Sequence, residues 1–429
     1  FERYLNLNVY YLFLIIYVVS LPLKSNVDFY EIYKYLHQNP ELSLQEFETT
    51  KYLEDLLKEY GYEIITNIGG NGFAAILKNG GNKTVLFRAD MDALPIKEET
   101  GISFESIKTT KQNGMDVPIM HACGHDIHMT SLIGTAEYFS KNKESWEGTI
   151  VFILQPAEEI GFGARQMINA GLFEQIPYPD INLALHVSAQ TQSGTVHITP
   201  GFAMANVDSV DVTFYGEGGH GAYPHLTKDP IVMSSQFITS VQTIISRNLS
   251  PINAGVVTVG SIHGGTKHNI IPNHVDLQIT VRSYSDEDRE LIISRIKKIA
   301  ESIAIQNDLP KNLYPIVKLR DEYTPAVFNN PDLAMRAKEI LSKELGKDKV
   351  FDGPQVMGGE DFGQFGRVEP KIPSLLFWIG AVSQKDYKEF LNNSKKLPSL
   401  HSSKFLPDYE KTIDTGISSS IALIKAHLN

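Results

Sequence analysis

Cysteine is almost absent from this chain of 429 residues, because only Cys123 occurs. A single cysteine cannot form an internal disulfide, so no disulfide framework holds the fold. Basic residues are also few, since 39 Lys and Arg stand against 50 Asp and Glu and give a formal net charge of −11. This acidic balance argues against nucleic acid or an anionic membrane surface as the main partner.

Two catalytic motifs are missing as well. The sequence contains neither a GxSxG nucleophile elbow nor a GxxxxGK[ST] phosphate-binding loop, and each would mark a well-known class of enzyme. What is present fits a globular protein, because a hydrophobic share of 42% excludes a disordered or fibrous chain. The length favours two domains over one.

Residues 1–25 differ from the rest of the chain. Between Asn8 and Lys24 runs the nearly uninterrupted apolar stretch VYYLFLIIYVVSLPL, which is shorter than the about 20 residues of a bilayer-spanning helix. Arg3 precedes it and Ser20 offers a small cleavage residue, as in a secretory signal. We therefore expect a signal peptide or anchor and a secretory or extracellular location. If the stretch is instead a buried helix or strand of the mature fold, a cytoplasmic protein is expected.

Residues 26–204 and 316–429 show helical and strand patterns in alternation. Apolar residues recur at three- and four-residue steps from 27 to 60, and a second helix is expected from 126 to 139. Apolar runs predict the strands 73-FAAILK, 83-KTVLFRAD, 149-TIVFILQP, 181-INLALHV and 373-PSLLFWIG. The alternation predicts an α/β fold with a mostly parallel sheet covered by helices on both faces. Ligands of such sheets bind at the carboxyl ends of the strands, and Asp90, Glu158 and His186 are expected just past such ends.

Residues 205–315 follow a different pattern. Apolar and polar residues alternate in 210–214 and 275–282, which indicates strands with one solvated face. Two amphipathic helical stretches occupy 229–246 and 286–304, and 314-YPIVKL is a candidate last strand. The order strand, helix, two strands, helix, strand is that of a ferredoxin-like α+β unit. We therefore expect an inserted domain that interrupts the outer one.

Two early stretches contain candidate metal ligands. In 88-RADMDALP, Asp90 and Asp92 point the same way if the chain is extended, although such a pair is more often a loop with capping aspartates. In 120-MHACGHDIHM, Cys123 and His125 offer a thiolate and an imidazole that suit zinc or a similar ion. The density of the second cluster argues against a core cysteine beside a surface histidine. No cysteine-protease signature surrounds Cys123.

Two later stretches add acid–base groups. In 155-QPAEE, the adjacent Glu158 and Glu159 follow an apolar strand. They are either a solvated helix start or a pair in which one carboxylate binds metal and the other takes a proton from water. His186 ends another apolar strand and on its own is more often a core histidine. The glycine-rich run 216-GEGGHGAYPH lacks the lysine of a phosphate loop, so we interpret it as a flexible loop that presents His220.

In their order along the chain, these stretches resemble one family. They are RADMDALP, MHACGHDIHM, LQPAEE, LHV, GGHGAYPH, HNIIP and GGEDF. From about residue 27 onward the sequence resembles the amidohydrolase branch of the dinuclear metallopeptidases, which includes hippurate hydrolases, N-acyl-amino-acid amidohydrolases and auxin-conjugate hydrolases. The resemblance implies two divalent ions, Mn or Zn, held by Cys123, His125, Glu159, His186 and His401.

The resemblance also implies roles for other residues. Glu158 falls where the family has its catalytic base, and Asp92 where related peptidases have an aspartate that orients a metal-bound histidine. His220 and Asn269 match residues of the inserted lid domain that reach the substrate, His220 across a homodimer formed through that domain. Arg282 is a candidate ligand of a substrate carboxylate.

The expected reaction is hydrolysis of the amide bond of N-acyl amino acids to a carboxylic acid and an amino acid. Two adjacent glutamates can divide the work, with one as metal ligand and the other as proton acceptor. A carboxypeptidase or dipeptidase on the same dinuclear site is the alternative. A catalytically silent binding protein is a third hypothesis, against which the intact set of ligands argues.

Overall fold

The computed structural model describes residues 28–321 and 323–428. The predicted signal or anchor segment, residues 1–25, lies outside them, so that interpretation and the secretory location stay predictions. Across the described ranges, every helix is too short or too polar to cross a membrane.

The helices and strands follow one another along the chain in mixed order. The helices are α1 (Phe29–Gln38), α2 (Phe47–Glu59), α3 (His125–Lys141), α4 (Gly163–Asn169), α5 (Leu172–Gln175), α6 (Pro230–Thr243), α7 (Asp286–Gln306), α8 (Pro331–Glu344), α9 (Gln384–Leu391) and α10 (Tyr409–Leu428). The strands are β1 (Glu63–Ile65), β2 (Phe73–Asn79), β3 (Thr84–Asp90), β4 (Thr109–Gln112), β5 (Met115–Pro118), β6 (Gly148–Gln155), β7 (Ile181–Gln192), β8 (Val196–Ile198), β9 (Gly201–Met204), β10 (Asn206–Tyr215), β11 (Gly219–His220), β12 (Gly255–His263), β13 (Ile270–Ile271), β14 (His274–Ser283), β15 (Ile316–Leu319), β16 (Val327–Asn329), β17 (Val350–Asp352) and β18 (Ser374–Val382).

The outer domain is built on an eight-stranded sheet in the order β1-β2-β6-β3-β7-β18-β8-β17. Its central strands β6, β3, β7 and β18 are parallel, which confirms the predicted α/β class. Strand β18 pairs with β7 in parallel and with β8 in antiparallel register. Strand β18, from the second half of the chain, therefore joins β8 and β17 to the rest of the sheet.

Both faces of this sheet are covered, as expected for strands that are apolar throughout. Val85 and Phe87 of β3 belong to a core with α1, α3, α8 and α10. Leu86, between them, belongs to a second core with α4, α5 and the β9–β16 pair. This alternation explains why β3 and β18 are buried at every residue.

The inserted domain has a four-stranded antiparallel sheet in the order β12-β14-β10-β15, with α6 and α7 on one face. This confirms the ferredoxin-like unit. Burial alternates strictly along β10, because only one face of the sheet packs against the helices. Strand β15 pairs with β10, so the sheet continues past the predicted boundary at 315.

Candidate metal centre and active site

Residues from several loops converge on one cavity at the carboxyl edge of the central sheet. The cavity has a volume of about 450 Å³ and its lining includes Cys123, Glu158, Glu159, His186 and His401. His125 lies fully buried beside it, with Nε2 3.8 Å from Oε1 of Glu159. The structure therefore brings together all five predicted metal ligands and the predicted base.

The ligand atoms form two sets that share one sulfur. Within each set the atoms lie within 4.8 Å of one another. Sγ of Cys123 is 3.7 Å from Nε2 of His186 and 3.3 Å from Nε2 of His401. His125 and His186 complete the first set with this thiol, and Glu159 and His401 complete the second.

Two atoms of the site lack the partner that burial demands. Nε2 of His125 and Oε1 of Glu159 are buried without a hydrogen-bond partner. Leaving buried polar atoms unpaired costs free energy, so each needs a specific reason. Divalent cations held by the two sets would satisfy both atoms. Together with a thiol and two further imidazoles, the donor chemistry fits a metal ion of the zinc type, and the carboxylates also suit manganese.

Gly124 sets the turn that places Cys123 and His125 side by side. Its φ is +81°, in the left-handed region that side chains other than glycine rarely adopt. A Cβ atom at this position would lie 2.4 Å from Cγ2 of Val187, which follows His186 in β7. Glycine therefore allows the thiol and imidazole to approach the strand that presents His186.

Asp92 fixes the orientation of His125. Nδ1 of His125 lies 2.8 Å from the carbonyl oxygen of Asp92 and 3.4 Å from its Oδ1. Because a carbonyl only accepts, Nδ1 carries a proton, and Nε2 is the ring nitrogen that remains for a metal ion. Oδ2 of Asp92 accepts hydrogen bonds from the Ser43 hydroxyl at 2.6 Å and from the Glu159 backbone N–H at 3.0 Å. The backbone carbonyl of Asp92 thus orients His125, while its carboxylate ties Ser43 to the Glu159 backbone.

The site is rich in negative charge. Burial lowers the pKa of His125, but Asp90 and the neighbouring carboxylates outweigh burial and raise it to about 10. Burial and the Glu360 carboxylate raise the pKa of Glu158 well above its usual range, and burial raises that of Glu159 to about 7. The surroundings thus favour a cation at this point, and Glu158 has the proton affinity of a base.

The Cys123 thiol responds to the same environment. Burial and the Glu159 carboxylate raise its pKa well above the usual range. A metal ion would reverse this effect, because a coordinated thiol is held as thiolate.

Sequence reasoning missed a buried ion network behind the cavity. Arg88 is completely buried and donates to Asp90 at 2.7 Å, to Glu360 at 2.8 Å and to Asp361 at 3.2 Å. Nδ1 of His128 lies 2.6 Å from Asp90. The expectation that Asp90 and Asp92 face one pocket differs from the structure, because neither residue lines the cavity. Asp90 turns toward this network and lies 3.5 Å from His125.

His186 and Arg282 lie on strands of the two different domains. His186 lies inside β7, paired with Trp378 of β18, and not past a strand end. The reason is that β7 continues to Gln192 beyond the apolar run that predicted it. Arg282, on β14 of the inserted domain, lines the same cavity as the glutamates, and its guanidinium donates to the Thr280 hydroxyl and to the Val281 carbonyl.

His220 and Asn269 lie close to each other but not to the cavity. Strands β11 and β13 pair His220 with Ile270, and the Gly221 N–H donates to the Asn269 carbonyl at 2.9 Å. His220 is exposed, and neither residue lines the cavity that holds Glu158. Their predicted contact with substrate, and the homodimer that would allow it, stay predictions.

An α/β sheet with thiol, imidazole and carboxylate ligands at its edge, and a ferredoxin-like domain beside it, is typical of metal-dependent hydrolases. The chain belongs to peptidase family M20/M25/M40, whose family model matches residues 86–398. The chain is therefore a hydrolase of this amidohydrolase and peptidase family.

Several named relatives align over most of the chain. It is 37% identical to the N-acetyldiaminopimelate deacetylase of Leuconostoc mesenteroides, over 80% of this chain and 86% of the relative. It is 36% identical to the hippurate hydrolase of Campylobacter jejuni, over 79% and 85%. It is 35% identical to thermostable carboxypeptidase 2 of Saccharolobus solfataricus, over 85% and 89%.

A solved structure shares the architecture. The YXEP protein of Bacillus subtilis, described as a dinuclear metal-binding peptidase of the M20 family, is 28% identical and superposes with a TM-score of 0.73. The alignment covers 94% of this chain and 98% of that one.

Proposed function

We propose that this protein hydrolyses the amide bond of N-acyl amino acids, releasing a carboxylic acid and an amino acid. The observation that carries the proposal is that Arg282 lines the same cavity as Glu158 and Glu159. An arginine in the cavity of two glutamates suits a substrate with a free carboxylate beside its amide bond. N-acetyldiaminopimelate and hippurate, which name two of the relatives, are both N-acylated amino acids.

The cofactor of the proposal is a pair of divalent ions. Cys123, His125, His186, Glu159 and His401 would hold them. When bound, such ions polarise the amide carbonyl and lower the pKa of the attacking water. Zinc and manganese both fit the mixed donor set.

The protein side chains divide the remaining work. Glu158, which has no metal to hold in this scheme, accepts the proton of the attacking water and passes it to the leaving nitrogen. Asp92 holds His125 in the tautomer that ligates. Arg282 orients the substrate carboxylate. We further propose that His220 and Asn269 of a second subunit reach the substrate through a homodimer of the inserted domain.

A carboxypeptidase is the second candidate, because thermostable carboxypeptidase 2 is 35% identical and the C-terminal carboxylate of a peptide would suit Arg282 equally. The two functions are distinguished by the rates at which the protein hydrolyses hippurate, N-acetyl amino acids and dipeptides. The rates are measured after bound metal has been removed with a chelator and zinc, manganese or cobalt has been added. We expect faster turnover of the acylated amino acids. Faster turnover of dipeptides would favour the peptidase. If no substrate of the panel is hydrolysed with any of the added metals, a binding protein would be favoured.

A further inference from the structure

The turn that presents Glu158 and Glu159 has an unusual backbone. Ala157 has φ +53°, in the left-handed region, which costs free energy for a residue with a side chain and persists only where the surroundings enforce it. The turn follows β6 and precedes α4. Something must therefore hold the chain in this shape at the base of the cavity.

Two buried carboxylates hold it from either side of Glu158. Oε1 of Glu46 accepts a hydrogen bond from the backbone N–H of Ala157 at 2.8 Å. Oδ2 of Asp92 accepts one from the backbone N–H of Glu159 at 3.0 Å. The peptide groups on both sides of the proposed base are thus tied to carboxylates, and such charge-assisted bonds are stronger than neutral ones.

Both ties lead to one short segment between α1 and α2. Glu46 immediately precedes α2 and is fully buried, but its side chain makes no cap hydrogen bond to that helix. Its second oxygen, Oε2, accepts from the Asn71 amide at 3.0 Å. Ser43 donates to the same oxygen of Asp92 that receives the Glu159 N–H. A polar side chain buried this far from its own helix needs a purpose elsewhere.

We propose that Glu46 is a positioning residue that holds the Ala157 turn and thereby aims Glu158 at the attacking water. This inference rests on the proposed function, because it takes Glu158 as the general base. Small displacements of a catalytic group lower the rate steeply, so loss of this tie should reduce kcat more than KM.

The substitution Glu46→Leu tests the tie because leucine has nearly the same size but offers no acceptor to the Ala157 N–H or the Asn71 amide. Glu46→Gln is the conservative variant that should keep the tie, since its amide oxygen can accept from Ala157 while its NH₂ group donates to the oxygen of a turned-over Asn71 amide. The matched control is Glu41→Leu, because Glu41 accepts from the backbone of Glu48 and Thr49 in α2 and makes no side-chain bond to the turn.

Steady-state hydrolysis of hippurate and thermal unfolding would be measured for the four proteins. We expect kcat of Glu46→Leu to fall at least about tenfold with KM within about twofold, and Glu46→Gln to stay within about threefold of wild type. Glu41→Leu should lose stability but keep kcat. Equal kcat in Glu46→Leu and Glu41→Leu overturns the proposal. If Glu46→Leu does not fold, a folded Glu46→Gln that has lost tenfold in kcat overturns it.

Hydrogen–deuterium exchange of a peptide covering 156–163 gives a second readout that needs no substrate. Exchange should accelerate in Glu46→Leu and stay near the wild-type rate in Glu46→Gln and in Glu41→Leu. Equal exchange in all four proteins contradicts the proposal. If the wild-type protein hydrolyses no substrate, the proposed function is wrong. The exchange comparison still tests whether Glu46 holds the Ala157 turn.

Discussion

The sulfur of Cys123 lies 3.3 Å from Nε2 of His401, although 278 positions separate the two residues in the chain. The backbone N–H of His401 also donates to the carbonyl of Ala122 at 2.9 Å. His401 adopts φ +63°, a left-handed conformation that is costly for a side-chain-bearing residue and is commonly found at functional sites. Through these two contacts, the loop that carries His401 packs against the turn of Cys123, Gly124 and His125. Cys123 thus contacts a residue of each ligand set.

Cys123→Ser tests the shared sulfur. Serine has nearly the same size but is a poor metal ligand at neutral pH, so we expect affinity for zinc to fall at least about tenfold. Elemental analysis after dialysis against a weak chelator measures the loss. If the metal content of Cys123→Ser is unchanged, Cys123 is not a ligand of the site.

Glu158→Gln tests the assignment of the base. The amide keeps the shape of the side chain but cannot take a proton, so we expect kcat to fall at least about a hundredfold with metal content unchanged. Glu159→Gln is the contrasting variant, because it should lower metal content as well as rate. Near-normal turnover in Glu158→Gln would refute the mechanism.

Arg282→Ala tests recognition of the substrate carboxylate. Hydrogen bonds to charged groups contribute about 1.5–3 kcal/mol, so kcat/KM for an N-acyl amino acid should fall roughly tenfold to a hundredfold. The matched substrate is the corresponding primary amide, which lacks the negative charge and should lose little. An equal loss on both substrates would show that Arg282 acts through the fold.

His37 predicts a pH dependence of stability. It contacts Asp126 at 2.7 Å and Glu98 at 3.1 Å in the interior. Burial lowers the pKa of His37, but these two carboxylates outweigh burial and raise it to about 9 from 6.5. Because the folded pKa lies above the unfolded one, the stabilisation is complete below pH 6.5 and is lost as pH rises through 9.

The loss should reach about 3 kcal/mol, the equivalent of this pKa difference. Urea unfolding at pH 6.5 and 9.5 measures it, and the pH-dependent part should be smaller in His37→Gln. His263→Gln, at an exposed position, is the control and should follow the wild type. A wild-type protein with equal stability at both pH values contradicts this reading of His37.

The sequence predicted features that depend on neighbours along the chain. The central strands were visible because β3 and β18 are apolar throughout, and Cys123 with His125 was visible because the motif is local. Contacts between distant segments left no local pattern. Arg88 and Glu360 are separated by 272 positions, and Arg88 alone looked like an ordinary charged residue beside a strand end.

The expectation for Asp90 shows the same limit. The period-two pattern assumed an extended chain through Asp92, whereas β3 ends at Asp90. The Asp90 side chain contacts Arg88 and His128, which such a pattern does not register. The end of β7 was misplaced for a related reason, since the strand continues through polar residues to Gln192 beside β18. Pairing with β18, which is distant in the chain, extends β7 beyond its apolar residues.

The discontinuous sheet has a consequence for biosynthesis. Cys123, His125 and His186 all precede the inserted domain and are made before it, whereas strand β18 and His401 are made after it. The residues of the first ligand set are thus available before those of the second. Insertion of β18 between β7 and β8 then joins segments from both sides of the inserted domain, so the full catalytic centre forms only after the inserted domain has been made.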